Sequence, residues 1–515
     1  MRERKMQARR HGGTEARREM QFPGLRCLSL RAFVPTCLRA VAAFAIAALY
    51  VQTAAAKSFT VTDYGAVGDG TTMNTDAFAK TIDACAADGG GVVEVPPGTY
   101  LTGPIELKSN IDLDVQAGAT ILYSRQFDDY PLRVTSFEGR TTVECTSPLW
   151  GDNLHDVSIT GAGVFDGQGE VWRPTKRSKM TDAQWRQQIA IGGVVDESGE
   201  NWYPSQEAMT GGMALARLRA RPTPPNVADY VPYRDLLRPP LVTLSNCKHV
   251  LLEGVTFRNS PGWNIHLLLS DDIVVWHLTV FNEIFAQNGD GIDIDSCRQV
   301  LIANSNVCAG DDDICLKSGR DAEGRALNRP TEDVMVHDCQ IGHGHGGIAI
   351  GSEMSGGVRN LTVENCVFDG TDTPLRFKSV RGRGGVVEDI HISDVKMSNI
   401  TQAAIQFDMF YMSKHAPDAP QPVTDATPIF RNITIRNATC SSAQTAILLH
   451  GLPEMPIQNV TLENVDLTAD KAGSLMDGKD LTFRNVHIHA NSDEQVSVKR
   501  VENLVLDNCD GIAQP

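Results

Sequence analysis

A short alternation of apolar and polar residues recurs along most of the chain. Most copies place β-branched or apolar residues at every second position, which predicts strands with one buried face. The copies begin at Val250, Ile273, Val300, Val334, Leu361, Ile390, Ile433, Val460, Leu481 and Leu504. No recurring helix-length amphipathic segment separates them, which disfavours βαβ units and leucine-rich repeats. The pattern predicts an all-β fold, a right-handed parallel β-helix of roughly ten coils.

The fifth position of the repeat is usually Asn or Asp. These residues are Asn304, Asp338, Asn365, Asp394, Asn437, Asn464, Asn485 and Asn508, in steps of 34, 27, 29, 43, 27, 21 and 23 residues. Both residue types tolerate a left-handed turn, so we expect them to stack as a ladder at one corner. Cysteine often follows at the sixth position, as in Cys339 and Cys366. We expect free thiols inside the solenoid, with disulfides as the alternative.

The first 56 residues predict a cleaved signal peptide. They hold ten basic residues, an apolar run from Val41 to Val51 and the small-residue sequence Ala54-Ala55-Ala56. We therefore expect cleavage near Ala56/Lys57 and a secreted or periplasmic protein. The remaining chain has 37 basic and 60 acidic residues, a net charge of −23. This charge disfavours nucleic acid and anionic membranes as partners, and we expect a monomer.

Two further segments interrupt the repeat. Thr75–Ala87 has the pattern of a short amphipathic helix, which suits a cap over the first coil because repeat arrays need covered ends. From Gly169 to about Pro240 the repeat is lost, and the segment contains several Trp and Pro residues. Because the repeat then resumes, we predict an insertion in a single catalytic domain spanning residues 57–515.

Carboxylates cluster in the middle of the repeat. Asp290 precedes Asp311 by 21 residues, about one coil, and Asp312 and Asp313 follow directly. Stacking would bring these groups together, and their repulsion would raise at least one pKa and separate an acid from a base. Such a set suits glycosidic bond cleavage. An aspartate ladder or a calcium site is the alternative.

A basic cluster follows in the sequence LRFKSVRGRGG. It contains Arg376, Lys378, Arg381 and Arg383, in a strongly acidic protein. Arg376 and Lys378 alternate along one strand, so both side chains can face one groove. Arginine binds carboxylates bidentately and lysine adds a point charge. The pair predicts a sugar polymer that bears carboxylates as the substrate.

Together these residues resemble glycoside hydrolase family 28, the polygalacturonases. The resemblance covers most of the chain from Lys57 onward, including DYGAVGDGTT at Asp63–Thr72. Four family motifs occur in order, at Asn288-Gly289-Asp290, Asp311-Asp312, Gly344-His345-Gly346 and Arg376-Phe377-Lys378.

The resemblance implies a role for each matching residue. Asp311 would be the general acid, and Asp290 and Asp312 would hold the attacking water. His345 would tune the acid or bind sugar. The residues expected to bind substrate are Asn288, Arg376, Lys378 and Tyr411, the last of which falls one coil after the basic strand. The resemblance also implies inversion at the anomeric centre and no metal or cofactor.

The chain departs from the family pattern at several positions. Gly289 replaces Thr, which we expect to be tolerated because Asp290 does the chemistry. Asp313 adds a charge that could shift the pKa of the acid. His343 duplicates the histidine motif, and we assign the function to His345 and a structural role to His343. Strict alternation would send Asp311 and Asp312 to opposite faces, so the resemblance requires a bend there.

Trp263 and His266 are weaker candidates for sugar contacts. They lie in NSPGWNIH, two repeat copies before the acid cluster. We expect Trp263 instead to be buried in the solenoid.

The leading functional prediction is an exo-acting polygalacturonase. The insertion after Gly169 and the sequence GSEMSGG (Gly351–Gly357) are similar to those of bacterial exo-acting members. The alternatives are an endo-polygalacturonase and a rhamnogalacturonan-type hydrolase, the second disfavoured by the intact Arg-Phe-Lys. A calcium-dependent pectate lyase and a non-catalytic polysaccharide-binding solenoid are further alternatives from other classes.

Overall fold

A computed structural model describes residues 57–514, apart from 222, 414–417 and 492–493. It confirms the right-handed parallel β-helix, in which successive strands pair in parallel within one continuous sheet. The predicted signal peptide lies outside the described residues. Within them, no helix is both long and apolar enough to span a membrane.

The solenoid has three faces, each built from one strand per coil. The first, here called the groove face, contains Ile105–Glu106, Leu149–Asp152, Val242–Ser245, Ile265–Leu268, Ile292–Asp295, Asp312–Lys317, Gly346–Ile350, Leu375–Lys378, Ile400–Asp408 and Ala443–His450. The second contains Ser58–Thr60, Gly91–Val95, Ile111–Val115, His155–Gly161, Lys248–Glu253, Asp271–Trp276, Arg298–Ala303, Thr331–His337 and Val358–Glu364.

The third face has the shortest strands. These are Asp69–Met73, Gly98–Thr102, Ala119–Tyr123, Val164–Asp166, Thr256–Arg258, Thr279–Phe281, Asn306–Cys308, Gln340–Ile341 and Val367–Asp369. Near the C-terminus, longer strands join the faces: Val386–Ser398, Ile429–Cys440, Ile457–Ala469, Lys471–Ala490 and Ser497–Asp507.

The core is a set of stacked apolar rows inside the solenoid. On the groove face one such row is Ile265, Ile292, Ile314, Ile348, Leu375, Ile405 and Ile447, aligned from coil to coil. Parallel pairing in register places like residues above one another, and their burial drives the stacking of coils. The period-2 pattern of the sequence is therefore the pattern of inward and outward side chains.

The predicted corner ladder is present. The Nδ2 groups of Asn437, Asn464, Asn485 and Asn508 donate to the residue one coil earlier at 2.7–3.1 Å. Each of these asparagines has a left-handed backbone, with φ between 51° and 56°. The ladder satisfies side-chain amides and fixes the same turn in every coil.

The cap and the cysteines also agree with the sequence. A helix at Thr75–Ala87 buries Phe78, Ile82 and Cys85 against the first coil. All ten cysteines of the described residues are free thiols, and eight of them are buried. The alternative of disulfides is therefore wrong for this part of the chain.

Two groups of elements project from the solenoid. A β-hairpin, Leu132–Phe137 and Arg140–Cys145, leaves the N-terminal coils. Residues 169–240 form a three-stranded sheet and short helices: Thr175–Lys176, Val194–Val195, Asn201–Tyr203, Asp182–Ala190, Gln206–Thr210, Gly212–Arg219 and Val227–Tyr230, with 3₁₀ turns at Gly169–Val171, Arg177–Lys179 and Val231–Leu236. Other short helices are Val61–Tyr64, Phe127–Asp129 and Asp321–Leu327.

The hairpin and the inserted residues share a small second core. It contains Tyr130, Val143, Trp172, Leu215 and Leu237. Arg219, which is partly exposed, also pairs with the buried Glu144 of the hairpin. The insertion therefore braces the hairpin from outside the solenoid.

Candidate active site

Two of the predicted catalytic aspartates lie on adjacent rungs of the groove face. Ile292 aligns with Ile314, a step of 22 residues, and Gly291 N donates to Asp312 O at 2.8 Å. The same register places Asp290 level with Asp312, and Asp311 comes one residue before. The structure therefore brings the three aspartates to one point, with a coil one residue longer than the 21-residue spacing that we expected.

The bend required between Asp311 and Asp312 is present. Ile314 lies in the core and Cys315 on the groove side, yet Cys315 Sγ is 3.7 Å from Asp312 Oδ2. Strict alternation from Cys315 would have placed Asp313 there instead. The chain enters the strand through Gly310, whose N donates to Gly289 O at 3.0 Å. A Cβ at Gly310 would lie 2.2 Å from Ala286 O, so the turn requires glycine.

Asp312 is a buried carboxylate held by two cations. Arg376 Nη1 donates to Oδ1 at 3.0 Å, and Lys378 Nζ donates to Oδ2. Burial would raise the pKa of Asp312, but Lys378, Arg376 and Lys317 outweigh it and lower the pKa below its ordinary value. The three cations therefore favour the ionised form of Asp312.

Asp290, one rung away, has the opposite shift. Burial, and then the carboxylates of Asp293 and Asp311, raises the pKa of Asp290 well above its ordinary value, although Lys317 opposes this. Lys317 Nζ is 3.5 Å from Asp290 Oδ2. The pKa values of Asp290 and Asp312 are therefore shifted in opposite directions. Acid–base catalysis needs such a difference between neighbouring carboxyls.

Lys317 is the centre of a buried charge cluster that the sequence analysis missed. Its Nζ lies 3.4 Å from Asp293 and 3.5 Å from Glu353, in addition to Asp290. It also lies 4.5 Å from the centre of the Trp263 ring. Alternation from Cys315 could have placed Lys317 on the groove side, but nothing local in the sequence indicated Glu353.

Asp313 is buried against the loop that carries the histidine motif. Its side chain is fully buried, and a Cβ at Gly344 would lie 2.1 Å from Asp313 Oδ2. Neither oxygen makes a hydrogen bond to the described residues. Burial raises the pKa of Asp313 well above its ordinary value, which favours the neutral carboxyl in the folded protein.

The two histidines of GHGHGG face different surroundings. His345 Nδ1 is 2.6 Å from Asp372 Oδ2, and its backbone N donates to Asp311 O at 2.7 Å. His343 Nε2 instead lies 2.9 Å from the carbonyl oxygen of Asn282, with its ring edge-to-face on Phe281. His345 is thus attached to the catalytic strand, while His343 braces the loop before Asp290.

The predicted substrate-binding residues divide into two groups. Arg376 and Lys378 share one face, and both cations lie over the Tyr411 ring, at 5.6 Å and 5.1 Å from its centre. Asn288 stands apart from them, because its Oδ1 accepts from Arg238 Nη2 at 3.0 Å. A threonine at Gly289 would place Cβ 2.8 Å from Ala286 O, so glycine fits this loop.

One group of side chains could in principle hold a metal ion. Asp290, Asp312 and Cys315 offer ligand atoms within 4.8 Å of one another. Arg376, Lys378 and Lys317 already neutralise the two carboxylates. A divalent ion would have to compete with these cations for the same oxygens.

The hairpin Leu132–Cys145, here called the end wall, packs against the groove face at Trp263. Phe137 packs on Trp263 with ring centres 4.6 Å apart, and Trp263 packs on His266. Trp263 and His266 are only 3% and 1% exposed. Trp263 is buried, but between Phe137 and Lys317 and not in the solenoid core, so our expectation is correct for its burial and wrong for its place.

The tip of the end wall is fastened to a distant helix. Arg140 Nη2 donates to Asp321 Oδ2 at 2.6 Å, and Thr141 N donates to Glu323 Oε1 at 2.9 Å. Arg320 N donates to Gly139 O at 3.1 Å. On the other side, beyond Lys378, the groove face continues through Gln406 and His450.

Comparisons with known proteins agree with this site. Residues 234–477 match the model of glycosyl hydrolases family 28, and residues 58–139 match a rhamnogalacturonase A/epimerase, pectate lyase-like model. A probable polygalacturonase of Vitis vinifera is 29% identical, over 80% of this chain and 74% of its own. An exo-poly-alpha-D-galacturonosidase of Dickeya chrysanthemi is 26% identical, over 84% of this chain and 71% of its own.

A solved structure extends the agreement to the fold. The exopolygalacturonase of Thermotoga maritima superposes with a TM-score of 0.68 at 28% identity, covering 90% of this chain and 96% of that one. The family match contains Asp290, Asp311, Asp312, His345 and the Arg376-Phe377-Lys378 strand. The chain therefore belongs to glycosyl hydrolase family 28 and is a glycoside hydrolase.

Proposed function

We propose that this hydrolase cleaves the α-1,4 linkages of polygalacturonate with inversion. The observation that carries the proposal is the pair Arg376 and Lys378, which stand on one strand beside ionised Asp312 and over Tyr411. A neutral sugar would have no use for two cations at the cleavage point. A galacturonate carboxylate would bind them directly.

Arg376 has donors left for a substrate. Only its Nη1 is used by Asp312, and its side chain is 17% exposed. The remaining N–H groups of the guanidinium can bind a carboxylate in the groove. Lys378 is almost buried and serves mainly to hold Asp312 ionised.

The three aspartates take different roles in the reaction. Asp311, the half-buried one, protonates the leaving glycosidic oxygen. Asp312 stays ionised and accepts the proton of the attacking water, and Asp290 orients that water from the adjacent rung. Products leave with the anomeric configuration inverted, because water attacks in a single displacement.

The roles of acid and base are separated by varying the leaving group. With polygalacturonate, Asp311→Asn should lose about 10²–10⁴-fold in kcat/KM. With an aryl α-galacturonide, whose phenolate needs little protonation, Asp311→Asn should retain most of its activity while Asp312→Asn does not. If the aryl substrate instead restored the activity of Asp290→Asn and not that of Asp311→Asn, the general acid would be Asp290. Absence of any product from polygalacturonate with the native enzyme would refute the substrate.

We also propose that cleavage is exo. The end wall crosses the groove next to the charge cluster of Lys317, and Trp263 and Phe137 fill the space beneath it. A polymer chain cannot continue through this end, whereas the opposite end is open along the groove face. The enzyme would therefore bind a chain terminus and release monomer or dimer.

The wall can be loosened without touching the catalytic residues. Arg140→Ala with Thr141→Ala removes side-chain contacts to Asp321 and Glu323. We expect the double variant to release longer oligomers early in the reaction, measured by chromatography of products. Arg436→Ala, which breaks the Arg436–Glu463 ion pair far from the groove, is the matched control. Mixed oligomers released by the native enzyme would contradict exo action.

A further inference from the structure

Three side chains form hydrogen bonds with the carboxylate of Asp372. His345 Nδ1 is 2.6 Å away, Gln402 Nε2 donates at 3.2 Å, and Thr401 Oγ1 donates to the other oxygen. Its backbone is fixed as well, because Asp372 N donates to Gly344 O at 2.8 Å and Gln402 N donates to Asp372 O at 2.9 Å. The loop is therefore built around this carboxylate.

These contacts keep Asp372 ionised. Burial alone would raise the pKa of Asp372, but the hydrogen bonds from His345 and Thr401 outweigh it and lower the pKa. An ionised carboxylate can only accept, so Nδ1 of His345 must carry a proton. The ring orientation and the tautomer are thereby fixed, with Nε2 as the remaining nitrogen.

His345 stands among charges of both signs. Asp372 lies on its Nδ1 side, and Asp311 is joined to its backbone. Arg376, on the strand that follows the Asp372 loop, acts on the charge of both aspartates. Thr401 and Gln402, from the next coil, are neutral. Asp372 is therefore the charged group that bonds the ring directly.

We propose that Asp372 is a positioning residue for the hydrolysis. It fixes the His345 ring in one orientation and in the Nδ1–H tautomer, on the segment whose backbone bonds Asp311. The effect of Asp372 on catalysis rests on the proposed function, whereas its effect on the His345 ring does not. The state of the histidine itself can be measured without substrate.

The primary measurement is the ¹⁵N NMR spectrum of the His345 ring in ¹⁵N-histidine-labelled protein, assigned by comparison with His345→Gln, because the two ring nitrogens report the tautomer separately. In Asp372→Asn the Nδ1–H tautomer should lose its dominance, because the charged acceptor is gone. Asp369→Asn is the matched control, since Asp369 bonds Ser398 and Asn399 in the same way at the outer surface. It should leave the His345 tautomer unchanged.

The kinetic readout is a double-mutant comparison. Asp372→Asn should lose about 10²-fold in kcat/KM on polygalacturonate, because the ring it positions is misplaced. In the His345→Gln background the same substitution should cost no further activity. An unchanged His345 tautomer, or an equal loss of activity from Asp372→Asn in the His345→Gln background, would overturn the proposal. A changed tautomer in an enzyme that does not cleave polygalacturonate would support the positioning and refute the substrate instead.

Discussion

Asp290 and Asp312 lie one rung apart, yet the charges around them differ. The surroundings of each are here called the Asp290 flank and the Asp312 flank. On one flank Asp312 faces Arg376 and Lys378, and its pKa is lowered. On the other Asp290 shares a single lysine, Lys317, with two more carboxylates, and its pKa is raised. Both aspartates are buried, so burial does not explain the difference. The ratio of cations to carboxylates decides which group gives up its proton.

The flanks also differ in access. The Asp290 flank lies under the end wall, with Trp263 and His266 nearly inaccessible. The Asp312 flank adjoins Tyr411 and Gln406 instead. The surplus of buried acids therefore lies beside the end wall, and the paired cations Arg376 and Lys378 lie on the other side.

The largest effect on stability should come from removing Lys317, the cation of the Asp290 flank. Lys317→Met leaves Asp290, Asp293 and Glu353 buried without their shared partner. We expect a loss of about 3–5 kcal/mol in the free energy of unfolding at pH 7. The loss should shrink toward pH 4, where the carboxylates protonate.

Urea unfolding at both pH values measures this effect. Lys471→Met, at an exposed lysine, is the control and should change stability by less than about 0.5 kcal/mol. An equal loss at both pH values would mean that Lys317 acts through packing on Trp263 instead.

Removing a cation from the Asp312 flank should lower the activity. Lys378→Met removes the strongest charge that keeps Asp312 ionised. We expect kcat/KM on polygalacturonate to fall by the equivalent of about 2–5 kcal/mol. The acidic limb of the profile should move to higher pH, because Asp312 would then protonate more easily. A uniform loss without movement of the limb would limit Lys378 to substrate binding.

Asp313 allows a smaller test of buried charge. Its pKa in the folded protein is raised, so it is protonated when folded and ionised when unfolded at neutral pH. Unfolding then releases a proton, and stability falls as pH rises above the ordinary aspartate value of about 3.9.

Asp313→Asn should remove this slope. The expected gain is about 1–3 kcal/mol at pH 7, with little change near pH 4, measured by denaturant unfolding at both pH values. A loss of stability at pH 7 would show that Asp313 is ionised and has a partner.

The smallest effect belongs to the ladder, far from both flanks. Asn437→Ala removes the donor to Asp394 and the acceptor of Asn464, at a left-handed residue. We expect a loss of about 1 kcal/mol in unfolding free energy and unchanged kcat/KM. A change in activity would mean that a distortion of the coil at this corner alters the positions of residues in the groove.

Part of the site could be predicted because stacking follows directly from the repeat. Asp290, Asp311 and Asp312 converge since one coil separates them, and Arg376 and Lys378 share a face since they alternate. Asp372 and Lys317 were missed, although both lie within a few residues of predicted ones. Their importance depends on partners from other coils, His345 and Glu353, that no local pattern identifies.

The bend at Asp311 and the end wall show the same limit. The strand pattern predicts strict alternation, whereas the structure has a break beside Gly310, where a Cβ would lie 2.2 Å from Ala286 O. The wall joins Arg140 to Asp321 across 181 residues. The spacing between these two residues carries no signal, because each lies in a segment outside the repeat.

The sequence by itself determined the solenoid, its corner ladder, its N-terminal cap and the meeting point of the aspartates. These features arise from periodic patterns, in which each coil repeats the same inward and outward choices. Only the tertiary structure decided which buried aspartate is paired with two cations, which histidine bonds the backbone of Asp311 and where the hairpin packs on the groove face. These depend on the distances between charged groups and on burial, which come from segments far apart in the chain.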